Sequence, residues 1–221
     1  MSNQILHFLS ELSERNEKTW FEGHRSEYEH ARNELISIVE AVVAGISTFD
    51  SSIGNPSPKK CIFRQYRDVR FSKNKLPYKT NMAAYIAPGG KSSPQAGYYL
   101  HLEPEKSFAG GGIYSPTPDI LKAIRSEIYY NGEEFNTLIN KKDFKNIFGE
   151  MMQEKLKRPP KGFPASFPFI ELIKYKHFVV SRPFLTDAIS LPEIQQFAIE
   201  TFKEMYDFNQ FLNRAILNAE K

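Results

Sequence analysis

The spacing of apolar residues changes twice along this 221-residue chain, and this change constrains the fold more than any other feature. Apolar residues recur every three or four positions over residues 5–46 and again over 120–216, but they alternate with other residues over 82–113. These periods are typical of amphipathic helices and of half-buried strands, respectively. The sequence therefore predicts an α+β fold, in which an antiparallel sheet packs against long N- and C-terminal amphipathic helices.

The chain is long enough, and apolar enough at 41% hydrophobic residues, to bury a full core as one domain. We expect residues 1–221 to form a single domain. Its expected parts are N-terminal helices in 1–48, a sheet core with a basic segment in 59–114, and a mainly helical remainder in 117–221.

Local signals place the ends of several elements. Asn16 is expected to cap one long helix of about 30 residues that reaches Ile46. Thr117 is expected to cap a second helix, and a capping box of Ser190 and Glu193 opens a long C-terminal helix. Residues 175–180 are expected to form a strand.

A basic segment, residues 59–81, carries eight of the 29 lysines and arginines and a single acid, Asp68. The rest of the chain is therefore slightly acidic, which indicates a localised basic site rather than a basic coat. Phe63, Val69 and Phe71 alternate with polar residues, which predicts a strand that turns its charged face toward an anion. The candidate ligand contacts are Arg64, Tyr66, Arg67, Arg70, Lys73 and Lys79.

A polar row follows on a later strand, where Tyr99, His101 and Glu103 alternate with buried residues. Histidine and glutamate titrate where proton transfer is useful, so these three are weak catalytic candidates. An ordinary solvent-facing row explains the pattern equally well. Three consecutive glycines at 110–112 indicate that something approaches the backbone closely.

Other site classes find no support in the residues. Cys61 is expected to be a buried apolar residue, and a single cysteine excludes a disulfide framework within the chain. Five scattered histidines predict no metal site, and we find no cofactor motif. We find neither a signal peptide nor an apolar run of membrane-spanning length, so a cytoplasmic protein with no membrane partner is expected.

Five motifs, at residues 66–73, 77–80, 97–104, 110–112 and 157–162, read YRDVRFSK, PYKT, GYYLHLEP, GGG and KRPPKG. In this order they resemble a bacterial conserved-hypothetical family, domain of unknown function 2461, over roughly residues 8–184. The resemblance implies a soluble, single-domain bacterial protein. The resemblance implies no activity, substrate, cofactor or catalytic residue for this chain.

Three functions remain open from the residues alone. The first is binding of a phosphorylated or carboxylated small molecule, with or without an enzymatic reaction on it. The second is nucleic-acid binding, in which the cations contact phosphates and Tyr66, Tyr78, Tyr98 or Tyr99 stack on bases. The third is a structural or interaction module whose cations pair internally with helix acids such as Glu22, Glu27, Glu34 and Glu40. No nucleophile, oligomeric state or reaction type follows from the sequence.

Overall fold

The protein is described here by a computed structural model that covers residues 4–185 and 190–219. Its four strands form one antiparallel sheet in the order β1-β2-β3-β4. The strands are β1 Met82–Ile86, β2 Gly97–Leu102, β3 Phe108–Ile113 and β4 Phe178–Pro183. With helices before, within and after the sheet, the predicted α+β class is confirmed.

The N-terminal part contains α1 Gln4–Glu14, α2 Lys18–Gly23 and α3 Arg25–Ser47. The prediction of one uninterrupted helix after Asn16 is wrong, because the chain leaves helical geometry at His24, with φ −109° and ψ 29°. The His24 ring stacks on Trp20 at 4.1 Å between centroids and its Nδ1 bonds the Trp20 carbonyl, which holds the break. A turn of 3-10 helix, Ser51–Ile53, and a short helix, α4 Pro58–Cys61, follow.

Asn16 does not cap a helix. Its side chain is buried, donates to the Tyr78 carbonyl and accepts from the Tyr78 N–H, each at 3.1 Å. Asn16 thereby satisfies both backbone polar groups of a residue 62 positions away, an interaction that local sequence rules do not foresee. The N-terminal helices are tied in this way to the end of the basic segment.

Four helices lie between β3 and β4: α5 Pro118–Tyr130, α6 Gly132–Asn140, α7 Lys142–Phe148 and α8 Ile170–Ile173. Thr117 caps α5 as predicted, because its Oγ1 accepts from the Ile120 N–H. The last strand begins three residues later than predicted, at Phe178. Tyr175 instead forms an isolated bridge with Lys155, outside the main sheet.

The C-terminal part contains α9 Leu191–Glu204 and α10 Tyr206–Ala219. The capping box is confirmed, since Glu193 Oε2 accepts from the Ser190 N–H at 2.7 Å. The single long helix predicted here is divided at Met205, which is fully buried. On either side of the break both helices contact β3, while α9 packs on α3 and α10 packs on α5.

One face of the sheet carries the core. Tyr98, Leu100 and Leu102 of β2 are buried on this face, where Tyr98 packs on Phe202 of α9 and donates to Asp50 at 2.7 Å. Tyr99 and His101, which alternate with them, therefore point to the opposite face, only half-buried. The sheet thus separates a main apolar core from a more polar side.

The glycines of β3 allow close packing, as their pattern predicted. A Cβ on Gly111 would contact the Gly97 carbonyl oxygen and lie 2.8 Å from Met205 Cε. Gly112 has φ +102°, a conformation that side chains disfavour. The close neighbours are strand backbone and helix side chains of this same chain.

The basic segment is not a regular strand. Isolated bridges join Ile62 to Ala84 and Tyr66 to Tyr78, and an irregular hairpin connects the latter two residues. The predicted strand through Phe63, Val69 and Phe71 is therefore wrong, and Phe71 is 96% exposed. Cys61 is fully buried as expected, and burial raises the pKa of its thiol.

Within residues 4–185 and 190–219, none of the helices combines the length and the apolar character that crossing a membrane requires.

Candidate functional site

A chain of hydrogen bonds runs along the polar face of the sheet. The Tyr99 hydroxyl lies 3.0 Å from His101 Nδ1, and His101 Nε2 lies 3.2 Å from Glu103 Oε2. Thr80 Oγ1 donates to the other carboxylate oxygen, Glu103 Oε1, at 2.8 Å. The structure therefore joins all three candidate catalytic residues, together with Thr80, which the sequence did not single out.

The chemistry of the partners fixes the direction of these bonds. An ionised carboxylate only accepts, so His101 must carry its proton on Nε2 and donate it to Glu103. Nδ1 of the neutral ring is then an acceptor, and the Tyr99 hydroxyl donates to it. The lone pairs of the Tyr99 oxygen remain available to an N–H or O–H donor.

Burial shifts the pKa values of both inner members of this row. Desolvation, and secondarily the Glu103 charge, raises the pKa of Tyr99 to about 12, so its hydroxyl stays protonated at neutral pH. Desolvation lowers the pKa of His101, and the hydrogen bond that His101 donates to Glu103, together with the Glu103 charge, opposes this effect without cancelling it. A neutral imidazole at physiological pH is consistent with the direction of the hydrogen bonds.

The row is held in place by packing and by a tight turn. The Phe108 ring stacks on His101 at 4.8 Å with 13° between the planes. Ser107 Oγ accepts from the Glu103 N–H at 3.0 Å and donates to the Glu103 carbonyl at 2.8 Å. These contacts restrict the rotamers of the histidine and fix the backbone that carries the glutamate, so the site is preorganised.

One cation of the basic segment, Lys79, lies near the row across the Phe63 ring, and the exposed Arg64 follows Phe63 in the chain. The Phe63 ring packs against Tyr99 with 6.2 Å between centroids, and the Lys79 ammonium lies 5.2 Å from the Phe63 centroid. Desolvation, and then the charge of Arg64, lowers the pKa of Lys79. Among the described residues neither Arg64 nor Lys79 forms an ion pair with a carboxylate.

Gln65 holds together the two segments that carry Arg64 and Lys79. It is 3% exposed, and its side-chain amide donates to the carbonyls of Lys79 and of Asn81, the latter at 3.2 Å. The Lys79 N–H in turn donates to the Gln65 carbonyl at 2.9 Å. The burial of Gln65 was not predicted, because a lone glutamine within a charged segment offers no signal for burial.

The remaining candidate contacts lie away from the row, on the hairpin. Arg70 pairs with Asp68 at 2.6 Å, and both are well exposed. Arg67 donates to the Leu76 carbonyl and to Ser72 Oγ, each at 3.3 Å. Lys73 is exposed, and Tyr66 is 47% exposed at the hairpin base. The predicted strand face is therefore wrong, because the segment lacks strand geometry, although Asp68 pairs with Arg70 and interacts electrostatically with Arg64.

These positions also bear on the two other hypotheses from the sequence, nucleic-acid binding and internal pairing of the cations with helix acids. Tyr78 and Tyr98 are 2% and 1% exposed, so they are core residues that cannot stack on bases. The helix acids Glu22 and Glu29 each pair with the cation four residues before them on the helix, Lys18 and Arg25, respectively. Within the described residues, no cation of the basic segment pairs with a helix acid.

A separate groove of about 680 Å³ lies between α6 and α10. Its cations are already matched, since Lys141 pairs with Asp207 at 3.0 Å and Arg214 pairs with Glu134 at 2.6 Å. These two ion pairs leave an anion no uncompensated positive charge in the groove. The surface around Lys79, beside the polar row, differs in this respect. The described part of the chain also contains no group of three histidine, cysteine or acidic side chains placed to hold a metal ion.

Comparison with known proteins gives one match. Neither the curated proteins nor the solved structures contain a match to this chain. A family model described as conserved hypothetical protein (DUF2461) matches residues 4–211, which is nearly the whole chain. The hydrogen-bonded row, the Lys79 cation near it and the hairpin all lie inside the matched region. The chain belongs to this family of conserved hypothetical proteins, as its motifs indicated.

Proposed function

We propose that the polar face of the sheet binds a small phosphorylated or carboxylated molecule and exchanges a proton with it. Lys79 and Arg64 supply positive charge for the anionic group, and Tyr99 contacts a neighbouring N–H or O–H of the ligand. The observation that carries this proposal is the hydrogen-bonded series Thr80, Glu103, His101 and Tyr99, with the Lys79 ammonium 5.2 Å from the Phe63 ring that packs on Tyr99 and in no ion pair with a described carboxylate.

The direction of the hydrogen bonds suggests a chemical role. A ligand proton can pass to the Tyr99 oxygen as the Tyr99 proton moves to His101 Nδ1. The resulting imidazolium would be stabilised by the Glu103 carboxylate, which accepts a hydrogen bond from Thr80, while Ser107 holds the Glu103 backbone. Because the pKa of Tyr99 is raised and that of His101 is lowered, both groups begin in the protonation states that this transfer requires.

Calorimetric titration tests the binding step, with inorganic phosphate, AMP and citrate as probes. The wild type is expected to bind at least one of them, and Lys79→Ala is expected to lose about tenfold or more in affinity, because charge-assisted hydrogen bonds contribute roughly 1.5–3 kcal/mol. Lys122→Ala, which removes an exposed lysine of α5, is the matched control and should bind as the wild type does. Equal binding by the two variants would exclude this site.

The proton-transfer step has its own test. Tyr99→Phe should keep the affinity of the bound probe within a few-fold, because the anion contacts remain, but it should change the pH dependence of binding. An unchanged pH profile would show that the row does not exchange a proton with the ligand.

A further inference from the structure

The hairpin that joins Tyr66 to Tyr78 presents one aromatic ring almost entirely to solvent. Phe71 is 96% exposed, and the Arg70 guanidinium lies over its ring, 6.0 Å from the centroid. A phenylalanine left exposed contributes none of the hydrophobic stabilisation that its burial would give. The ring is therefore available to an incoming partner, with the Arg70 guanidinium over one of its faces.

The same hairpin is positively charged. It contains Arg67, Arg70, Lys73 and Lys75 and a single acid, Asp68, which Arg70 already neutralises. Arg67 and Lys75 donate to the neutral carbonyls of Leu76 and Val69, so these bonds leave their charge uncompensated. The hairpin therefore carries three net positive charges on residues that flank Phe71 in the chain.

The hairpin is braced at its base, which limits how far its tip can rearrange. Tyr78 stacks on Phe21 at 4.0 Å with 11° between the planes, and Asn16 bonds both backbone polar groups of Tyr78. Tyr66 contacts the same Phe21 ring at 5.9 Å. An exposed ring on such a braced arm loses little conformational entropy when a partner binds.

We propose that the hairpin of residues 66–78 binds single-stranded nucleic acid, with Phe71 stacked on a base and the flanking cations at the phosphates. An aromatic ring among dispersed cations is the combination that single strands need, because every base has a face to stack and every link a negative charge. The chemistry is that of a surface contact and is independent of the site on the sheet.

An anionic membrane surface is the main competitor, and the apolar content of the hairpin argues against it. Residues 72–75, which follow Phe71, are all polar, and Leu76, at 42% exposure, is the next exposed large apolar residue. Segments that settle at a membrane interface bury a continuous apolar face. One ring flanked by polar residues is better suited to stacking than to insertion.

Fluorescence anisotropy with a labelled oligothymidylate of about twelve nucleotides, a length within known site sizes, tests the proposal. The affinity of the wild type should fall with salt, with a log–log slope of roughly −2 for three net charges on a single strand. Phe71→Ala should weaken binding by at least about fivefold. Tyr130→Ala, which removes another exposed aromatic residue (80% exposed), is the matched control and should bind as the wild type does.

Two further arms separate charge from stacking and identify the partner class. Lys73→Ala should reduce the magnitude of the salt slope by about 0.7, whereas Lys122→Ala should leave it unchanged. Failure of the wild type to bind at low salt, or equal binding by Phe71→Ala and the wild type, overturns the proposal. So does binding to phosphatidylserine vesicles without binding to the oligonucleotide. Tyr99→Phe should not affect oligonucleotide binding, so this proposal and that for the sheet face stand or fall separately.

Discussion

The Tyr99 hydroxyl donates its proton to Nδ1 of His101, two residues further along the same strand, at 3.0 Å. Strand residues two apart lie on the same side of a sheet, so this contact needs no distant part of the chain to form. The second ring nitrogen then faces Glu103, and the tautomer of His101 is set from both sides. Several expectations follow from this arrangement and from the packing around it.

Glu103→Gln should lower the pKa of His101 further. The Glu103 hydrogen bond and charge raise that pKa against the larger effect of burial, and glutamine removes the charge while retaining an oxygen that accepts from Nε2–H. Two-dimensional ¹H–¹⁵N NMR of the imidazole over a pH series measures the change. Glu105→Gln, on the exposed turn after β2, is the control; an equal or raised His101 pKa in Glu103→Gln would contradict the assignment.

The lowered pKa of His101 should make the protein less stable as pH falls. Below about 6.5, the histidine of the unfolded chain takes up a proton, while the folded imidazole stays neutral until a lower pH. The contribution to folding is therefore present above that pH and is lost on acidification. Urea unfolding between pH 7.5 and about 5 should give a steeper decline for the wild type than for His101→Gln. Identical slopes would show that His101 does not titrate abnormally.

Gln65→Ala should destabilise the protein by about 1–3 kcal/mol, because it leaves two buried carbonyls, those of Lys79 and Asn81, without their amide donor. Urea denaturation measures the loss. Gln196→Ala, an exposed position on α9, should change stability by less than about 0.5 kcal/mol. If the two variants are equally stable, Gln65 does not hold together the segments that carry Arg64 and Lys79.

Gly111→Ala should be among the most damaging single-methyl changes, at about 3 kcal/mol or more. The new Cβ would collide with the Gly97 carbonyl and with Met205 Cε, and the backbone partner cannot move without disrupting the pairing of β2 with β3. The matched control is Gly23→Ala at the end of α2, where a Cβ meets nothing within 4 Å. Thermal unfolding compares the two, and similar midpoints would contradict the packing described.

The sequence predicted the elements of the fold well because their signals are local. Capping at Thr117 and at Ser190 was confirmed, and the alternation of β2 placed Tyr99 and His101 on the same face. Two helices were predicted too long because the periodic pattern continues through His24 and Met205, where tertiary packing breaks the helix. A hydrophobic period indicates which face is buried, but it does not indicate whether the axis bends.

The candidate site was only partly predictable, for a different reason. The row on β2 follows from strand alternation, but Thr80 joins it from a distant segment, and Gln65 holds the neighbouring Lys79 and Asn81 through a contact that is equally non-local. Phe71 shows the opposite error, since its alternation with charged residues resembles a strand, whereas the hairpin leaves its ring in water. In that segment, side chains such as Lys75 bond backbone carbonyls in place of a neighbouring strand.

The division of the sheet into an apolar face and a polar face has a consequence for how this protein can change. Side chains on the two faces alternate along β2, so a substitution at Tyr99 or His101 leaves the packing of Tyr98 and Leu100 on the helices untouched. Chemical specificity can therefore diverge among relatives, or be re-engineered, while the apolar core on the other face is preserved.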